Sequence, residues 1–242
     1  MKIKVVCFDI DGTLYPKWVT DWKLMRSFFP SPLLALRYQR FRSYIRSHDE
    51  EHTVPENEEG FRARQANWLC NIGSSQGDAD DRIRHMSERV ERQFYACWRR
   101  AFSKLRPYPF VREAFEQLRE QGVTIAALSD FPVERKLKAL GVEDLVDYAA
   151  CTEQSGYLKP HPAPFHMVCN DLQVEPSEVL YVGDSCRKDM VGASHVGMRT
   201  ALMDPSASSE KRKDRRFKAC PQANTIFSDY REFMEHIPKM LQ

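Results

Sequence analysis

Apolar residues run unbroken through Val5, Val6, Cys7 and Phe8 and stop at Asp9, so residues 3–8 read as a short buried strand that ends in an acidic loop. The next such run, residues 123–128, comes far downstream. It follows a segment, 109–120, whose Phe110, Ala114, Phe115 and Leu118 recur at helical spacing, with Gly122 at the turn. From there the pattern alternates. It predicts a helix over 132–140 stopped by Gly141, a strand near 147–150, a helix near 163–172 and the strand 179–182. A helix over about 188–194, a strand near 195–201 and a last short strand near 225–227 complete it. Strands alternating with short helices imply a parallel sheet covered on both faces, and ligands of such sheets bind beyond the carboxyl ends of the strands.

Residues from about 14 to 106 have a different texture. Aromatic and arginine-rich stretches, 33–44 and 82–102, repeat with helical rather than alternating period, and polar stretches near 47–59 and 73–81 separate them. This predicts an insertion of roughly four helices lying over the strand ends. Trp22, Trp68 and Trp98 are expected to anchor its small core rather than stack on a substrate.

A chain of 242 residues fits one large α/β domain or a core with a smaller domain inserted. With 42% hydrophobic and 29% charged residues, a mostly disordered chain is excluded. The net charge of +2, from 36 basic and 34 acidic side chains, gives no global attraction to nucleic acid or an anionic membrane. Locally, Arg37, Arg40 and Arg42 lie in an acid-free stretch over 26–46, read either as a basic face for anionic substrates or as a solvated helix surface. The basic run 210–218 reads as a solvent-facing loop or helix. Seven cysteines show no Cys-x-x-Cys pair, and the first apolar run is too short for a leader or a membrane span. A reduced, cytoplasmic protein is expected, with the cysteines as small buried hydrophobes.

Four segments stand at predicted strand ends. In Phe8-Asp9-Ile10-Asp11-Gly12-Thr13-Leu14, residues two apart point the same way, so Asp9 and Asp11 can present carboxylates to one site while Gly12 turns the chain. Carboxylates that close repel unless a cation or a buried proton relieves them, which suits a divalent ion. An Asx turn or a calcium loop shares this composition, but the strand running into it favours a site. Ser129 can offer a hydroxyl to a phosphoryl oxygen at the start of the next helix; Asp130 beside it can be a simple N-cap. Lys159, held before Pro160 and near Gly156, can neutralise a carboxylate and a phosphate. In Gly183-Asp184-Ser185-Cys186-Arg187-Lys188-Asp189, two more carboxylates converge, and Asp9, Asp184 and a backbone carbonyl make a hard oxygen set for magnesium.

Asp9-x-Asp11-Gly12-Thr13-Leu14, Ser129, Gly156-x-x-Lys159-Pro160 and Gly183-Asp184-Ser185-x-x-x-Asp189, in this order, resemble the motifs of the haloacid dehalogenase-like hydrolase superfamily. The resemblance spans residues 3–14 and about 106 onward, and the helical insertion falls where that superfamily carries its type 1 cap. It implies a Rossmann-like α/β core of residues 1–14 and 106–242, with an inserted all-helical cap domain at 15–105. The implied activity is magnesium-dependent hydrolysis of a phosphomonoester, a small phosphorylated metabolite, through a phosphoaspartate. Asp9 is then the nucleophile, Asp11 the general acid and base, and Lys159 the residue that orients Asp9. Asp9, Asp11, Ser129, Asp130 and Lys159 bind the phosphate. Mg2+ is held by Asp9, Asp184 and the carbonyl of Asp11, with Gly12, Thr13, Gly183, Ser185 and Asp189 in support.

Asp130 departs from the asparagine common in the family and is expected to face the helix start or a cap residue. Asp11 argues against the dehalogenase and phosphonate-cleaving branches, which lack that second aspartate. A phosphomutase acting on a sugar phosphate, and a noncatalytic binding or regulatory protein on the same fold, stand as alternatives. Neither nucleic acid nor membrane is an expected partner, and monomer and homodimer are equally open.

Overall fold

The computed structural model describes residues 2–19, 21, 25, 29–47, 57–70, 79–102 and 104–242. Its strands are β1 (Val5–Phe8), β2 (Thr124–Ser129), β3 (Tyr148–Cys151), β4 (Val179–Gly183), β5 (Arg199–Met203) and β6 (Thr225–Phe227). They form one sheet in the order β3-β2-β1-β4-β5-β6, and every neighbouring pair is parallel. The strand order reverses beside β1, and parallel sheets bind ligands at such a switch point. Register puts Phe8 opposite Ala127 on one side and Val182 on the other, so the loops that follow β1, β2 and β4 leave the sheet at one level.

Between β1 and β2 lie α1 (Pro32–Ser47), α2 (Glu58–Cys70), α3 (Ala79–Val90) and α4 (Ala96–Phe102), the last two joined by a wide π-type turn, Glu91–Tyr95. The core helices are α5 (Val111–Glu120), α6 (Glu134–Leu140), α7 (Pro162–Leu172), α8 (Val191–His195), α9 (Glu210–Ala219) and α10 (Tyr230–Met240). Period-two alternation divides β1 between two cores. Val6 and Phe8 pack with Ala114, Phe115 and Leu118 of α5 and Phe233 and Ile237 of α10, whereas Val5 and Cys7 pack with Phe165 and Val168 of α7 on the other face. The insertion brings its own cluster: Phe41 and Ile45 of α1 and Phe61 of α2 close over Leu158, a residue of the core. Among the described residues no helix is long and apolar enough to cross a membrane.

Several expectations need correction. The run 195–201 is not a strand throughout: α8 ends at His195, Gly197 turns the chain at φ +90°, and β5 begins only at Arg199. The helix expected from 188 starts earlier, as a π-type turn from Cys186, because the Ser185 hydroxyl caps the Lys188 N–H. The basic run 210–218, by contrast, is solvent-facing as expected: it is α9, a helix with no buried residue, whose Lys213 pairs with Glu210 and Glu232. The terminal helix α10 went unpredicted. Its Pro238 cannot donate to the Met234 carbonyl, which accepts from Gln117 Nε2 instead, at 3.5 Å.

Trp98 is buried in the insertion's aromatic core, against Tyr38, Phe94 and Tyr95, and Trp68 packs on Phe41; Trp22 lies outside the described residues, as do Arg26 and most of the polar stretches. The cysteines do not all remain thiols packed as hydrophobes. Cys186 and Cys220 are joined in a disulfide across 34 residues, a pairing hidden in the sequence because the β4-β5-β6 crossovers create the contact. Cys7 and Cys169 are buried as expected, while Cys70, Cys97 and Cys151 are only partly so.

Candidate active site

Asp9 follows β1 directly, and its own N–H still donates to the Val182 carbonyl at 2.8 Å, which fixes the backbone at the sheet edge. The chain then folds back, with Leu14 N–H donating to the Ile10 carbonyl at 3.0 Å. Gly12 sits at φ +100°, and a Cβ there would come 2.2 Å from Asp184 Oδ2, so only glycine allows the two acidic loops to meet. Gly183 has the same function on the other side: a Cβ would lie 2.5 Å from the Asp189 carboxyl carbon.

These turns gather the predicted residues into one pocket. Lys159 Nζ donates to Asp9 Oδ1 and Asp189 Oδ1, both at 2.7 Å, and to the Tyr181 hydroxyl at 2.9 Å. Thr13 Oγ1 donates to Asp9 Oδ2 at 3.0 Å, and the Tyr230 hydroxyl holds the Thr13 carbonyl at 3.1 Å. Asp189 Oδ2 accepts the Ser185 N–H at 3.0 Å. Asp11 is turned toward Ser129, whose hydroxyl donates to its Oδ2 at 2.7 Å, while Tyr15 donates to its Oδ1.

Burial opposes the charge on Lys159, but Asp189 and Asp9 outweigh it and hold the ammonium well above the usual lysine range. Asp9 is pushed up to about 7: burial raises it most, Lys159 pulls it down, and Asp189, Asp184 and Asp11 raise it further. Burial and Asp189 raise Asp184 to about 6 against Lys17, Lys159 and Lys188. Asp11 goes the other way. Burial favours its neutral form, yet Lys136, with hydrogen bonds from Tyr15 and Ser129, keeps it below the usual carboxylate range.

Carboxylate oxygens of Asp9, Asp184 and Asp189 lie within 4.8 Å of one another. Burial and neighbouring acids raise the proton affinity of Asp9 and Asp184 although Lys159 stands among them, and this hard oxygen donor set fits a divalent cation. The linkage gives a testable sign. In metal-free protein Asp9 and Asp184 hold protons at pH values where an unfolded aspartate, pKa about 3.9, has lost them, so stability rises as pH falls through about 7 and about 6. With EDTA present, the melting temperature should therefore be higher near pH 5.5 than near pH 8, less so in Asp184→Asn, and added Mg2+ should stabilise more near pH 8. A wild-type melting temperature that climbs with pH across this window, with Asp184→Asn flat, would contradict the assignment.

A cavity of about 540 Å³ opens between these loops and the insertion, lined by Asp9, Asp11, Lys159 and Asp184 below and by Tyr38, Gln39, Ser43 and Trp98 above. The arginine stretch is neither a plain basic face nor a solvated surface. Arg40 is exposed, but Arg42 is buried. Arg42 donates to Glu153 Oε1 at 2.5 Å and to the Asp130 carbonyl at 2.7 Å, and Arg46 to the Lys159 carbonyl at 3.1 Å and to Asp130 Oδ2 at 2.6 Å. Arg64 reaches the Gly156 carbonyl at 2.5 Å. Asp130 therefore faces the insertion: its other oxygen accepts the Thr152 hydroxyl at 3.0 Å, and, against burial, Arg46, Lys159, Lys188 and Arg42 hold it far below the usual carboxylate range. A carboxylate so engaged presents no hydrogen-bond donor to a phosphate.

Sequence reasoning missed Glu153 and Lys136, and singled out Arg42 only as part of a basic stretch, without its buried acid partner. For Lys136 a signal was present, because it falls on the buried stripe of α6 between Val133 and Leu140, at spacings of three and four.

A reactive-type carboxylate at the end of the central strand, bound by a lysine and backed by further acids, is an arrangement of the hydrolase kind. The chain belongs to the haloacid dehalogenase-like hydrolases, whose family profile matches residues 3–197. It is 30% identical over 208 residues to a glyceraldehyde 3-phosphate phosphatase of Methanopyrus kandleri, covering 82% of each chain. To a ribulose-1,5-bisphosphate 5-phosphatase of Halopiger xanaduensis it is 35% identical over 118 residues, 48% of this chain and about half (49%) of that relative's length. A 2-haloacid dehalogenase of Pseudomonas syringae shares the fold, with TM-score 0.58 at 22% identity over 99% of this chain and 98% of the other.

Proposed function

We propose that this protein is a magnesium-dependent phosphomonoester hydrolase that turns over a small phosphorylated metabolite through a phosphoaspartate on Asp9. The observation that carries the reading is the Lys159 ammonium held between Asp9 and Asp189 beside an acidic cluster, with Asp11 two residues on. Relatives named for the hydrolysis of small sugar-type and carboxylate phosphates support the substrate class.

In this mechanism Asp9 attacks phosphorus, and charge builds on the equatorial oxygens. Lys159, Ser129 and backbone N–H groups bind those oxygens. Asp9, Asp184 and the Asp11 carbonyl, supported by Asp189, would hold Mg2+, which when bound neutralises phosphoryl charge. A phosphomonoester dianion arriving beside Asp11 raises that carboxyl's proton affinity and so equips it to protonate the leaving alkoxide. Asp11 then takes a proton from the water that attacks the intermediate. Residues 15–105 act as the cap that excludes bulk water and selects the leaving group, docked through Arg42, Arg46 and Arg64, with Asp130 as the receiving acid. A cytoplasmic setting belongs to the same proposal: five of the seven cysteines are free thiols, although the Cys186–Cys220 disulfide departs from a fully reduced chain.

The test is phosphate release from a panel of phosphomonoesters with and without Mg2+, products identified by NMR. Free phosphate with the dephosphorylated alcohol is expected. An isomerised sugar phosphate without phosphate release would replace the reading with a mutase, and no turnover of any compound would remove the enzymatic assignment of the site.

A further inference from the structure

Lys136 has no part in the chemistry above, yet its side chain is fully buried at the floor of the site. Burying an ammonium is unfavourable unless it is paired, so what surrounds it is informative. Its Nζ lies 2.5 Å from Asp11 Oδ2 and 2.9 Å from Ser129 Oγ. The rings of Phe102 and Phe131 cover it, with centroids at 4.4 and 5.4 Å. Phe102 belongs to α4, the last helix of the insertion, so this one ammonium touches insertion, acid and phosphate-binding hydroxyl together.

An ammonium has three protons and no lone pair, so at Ser129 it can only donate. The Phe131 N–H also donates to Ser129 Oγ, at 3.2 Å. A hydroxyl oxygen has two acceptor positions and one proton. Both acceptor positions are filled from the protein side, and the proton is left to point away from them, here to Asp11 Oδ2 at 2.7 Å. The oxygens of a phosphomonoester dianion are acceptors, and the single Ser129 proton, already confined to the side that faces Asp11, needs only a short swing to reach a phosphoryl oxygen that arrives beside that carboxylate.

We infer that Lys136 is a positioning residue that fixes the donor direction of the Ser129 hydroxyl and holds the Asp11 carboxylate beside it, pre-setting the site for a phosphoryl oxygen. The inference rests on the phosphatase reading for the identity of the anion, but not for its test.

The test is a double-mutant cycle read as affinity for inorganic phosphate in the presence of Mg2+, by calorimetry, on the full chain. Lys136→Met and Ser129→Ala should each weaken phosphate binding about tenfold, the scale of a hydrogen bond to a charged group. If Lys136 works through Ser129, the double variant should be within about twofold of Ser129→Ala. Lys136→Arg, which donates and cannot accept, should retain more affinity than Lys136→Gln, which can do either; this comparison decides the matter should Lys136→Met fail to fold. Losses that multiply in the double variant, Gln equal to Arg, or a wild type that binds no phosphate would each overturn the inference. A wild type that binds phosphate but turns nothing over would sink the phosphatase reading, while the cycle still decides the role of Lys136.

Discussion

Asp9→Asn should abolish phosphate release, by about 10⁴-fold or more, the scale on which removing a covalent nucleophile is felt, and should do so without loss of stability. The second half separates a chemical role from a structural one. Asp9 is buried among Asp189, Asp184 and Asp11, and burial with those neighbours pushes it up to about 7 despite Lys159, so its negative charge is held at a cost. An asparagine removes the charge, keeps an oxygen that can accept from Thr13 Oγ1, and leaves Lys159 paired with Asp189. The urea midpoint of the variant should equal or exceed that of the wild type above about pH 7. Acid-quenched wild-type enzyme caught during turnover should carry covalent phosphate on the peptide containing Asp9, and the variant none. Turnover within tenfold of wild type would place the nucleophile elsewhere; lost activity with a collapsed midpoint would make Asp9 a structural acid.

What was legible in the sequence was local. The apolar run into Asp9-x-Asp11-Gly12, the strand into Gly183-Asp184 and Lys159 before Pro160 each couple an element to a reactive group within a few residues, and the sheet brings these segments together at one edge. What escaped was non-local. Arg42 meets Glu153 across 111 residues in a buried contact, and Lys136 meets Asp11 across 125 in a partly buried one. A charged residue on a helix is ordinarily a solvated one, so neither pairing announces itself without the fold that buries both partners. Asp130 shows the same limit from the other side. Its acidic identity becomes intelligible only when Arg46 of the insertion is seen against it. The Cys186–Cys220 disulfide likewise depends on the order in which β4, β5 and β6 are laid down.

Removing the Lys159 ammonium should produce the largest combined effect on stability and activity. Its Nζ is the shared donor to Asp9 and Asp189, each 2.7 Å away, and all three side chains are almost wholly buried. In Lys159→Met the two carboxylates lose that cation while staying almost wholly buried. Breaking a buried pair from one side typically costs about 3–5 kcal/mol, chiefly because the charge left behind is uncompensated. The urea midpoint should fall accordingly with little change in slope, and turnover by about 10³-fold. Two recoveries follow if that charge is the cause. Mg2+ should restore part of the lost stability, since the same acids compose the candidate metal cluster, and adding Asp9→Asn to Lys159→Met should restore stability while leaving turnover absent. Such a rescue is non-additive in the direction that direct coupling requires. If instead Asp9→Asn and Lys159→Met destabilise independently, Lys159 supports the fold through its packing against Tyr181 and the Leu128 carbonyl, and the ionic account of this site fails.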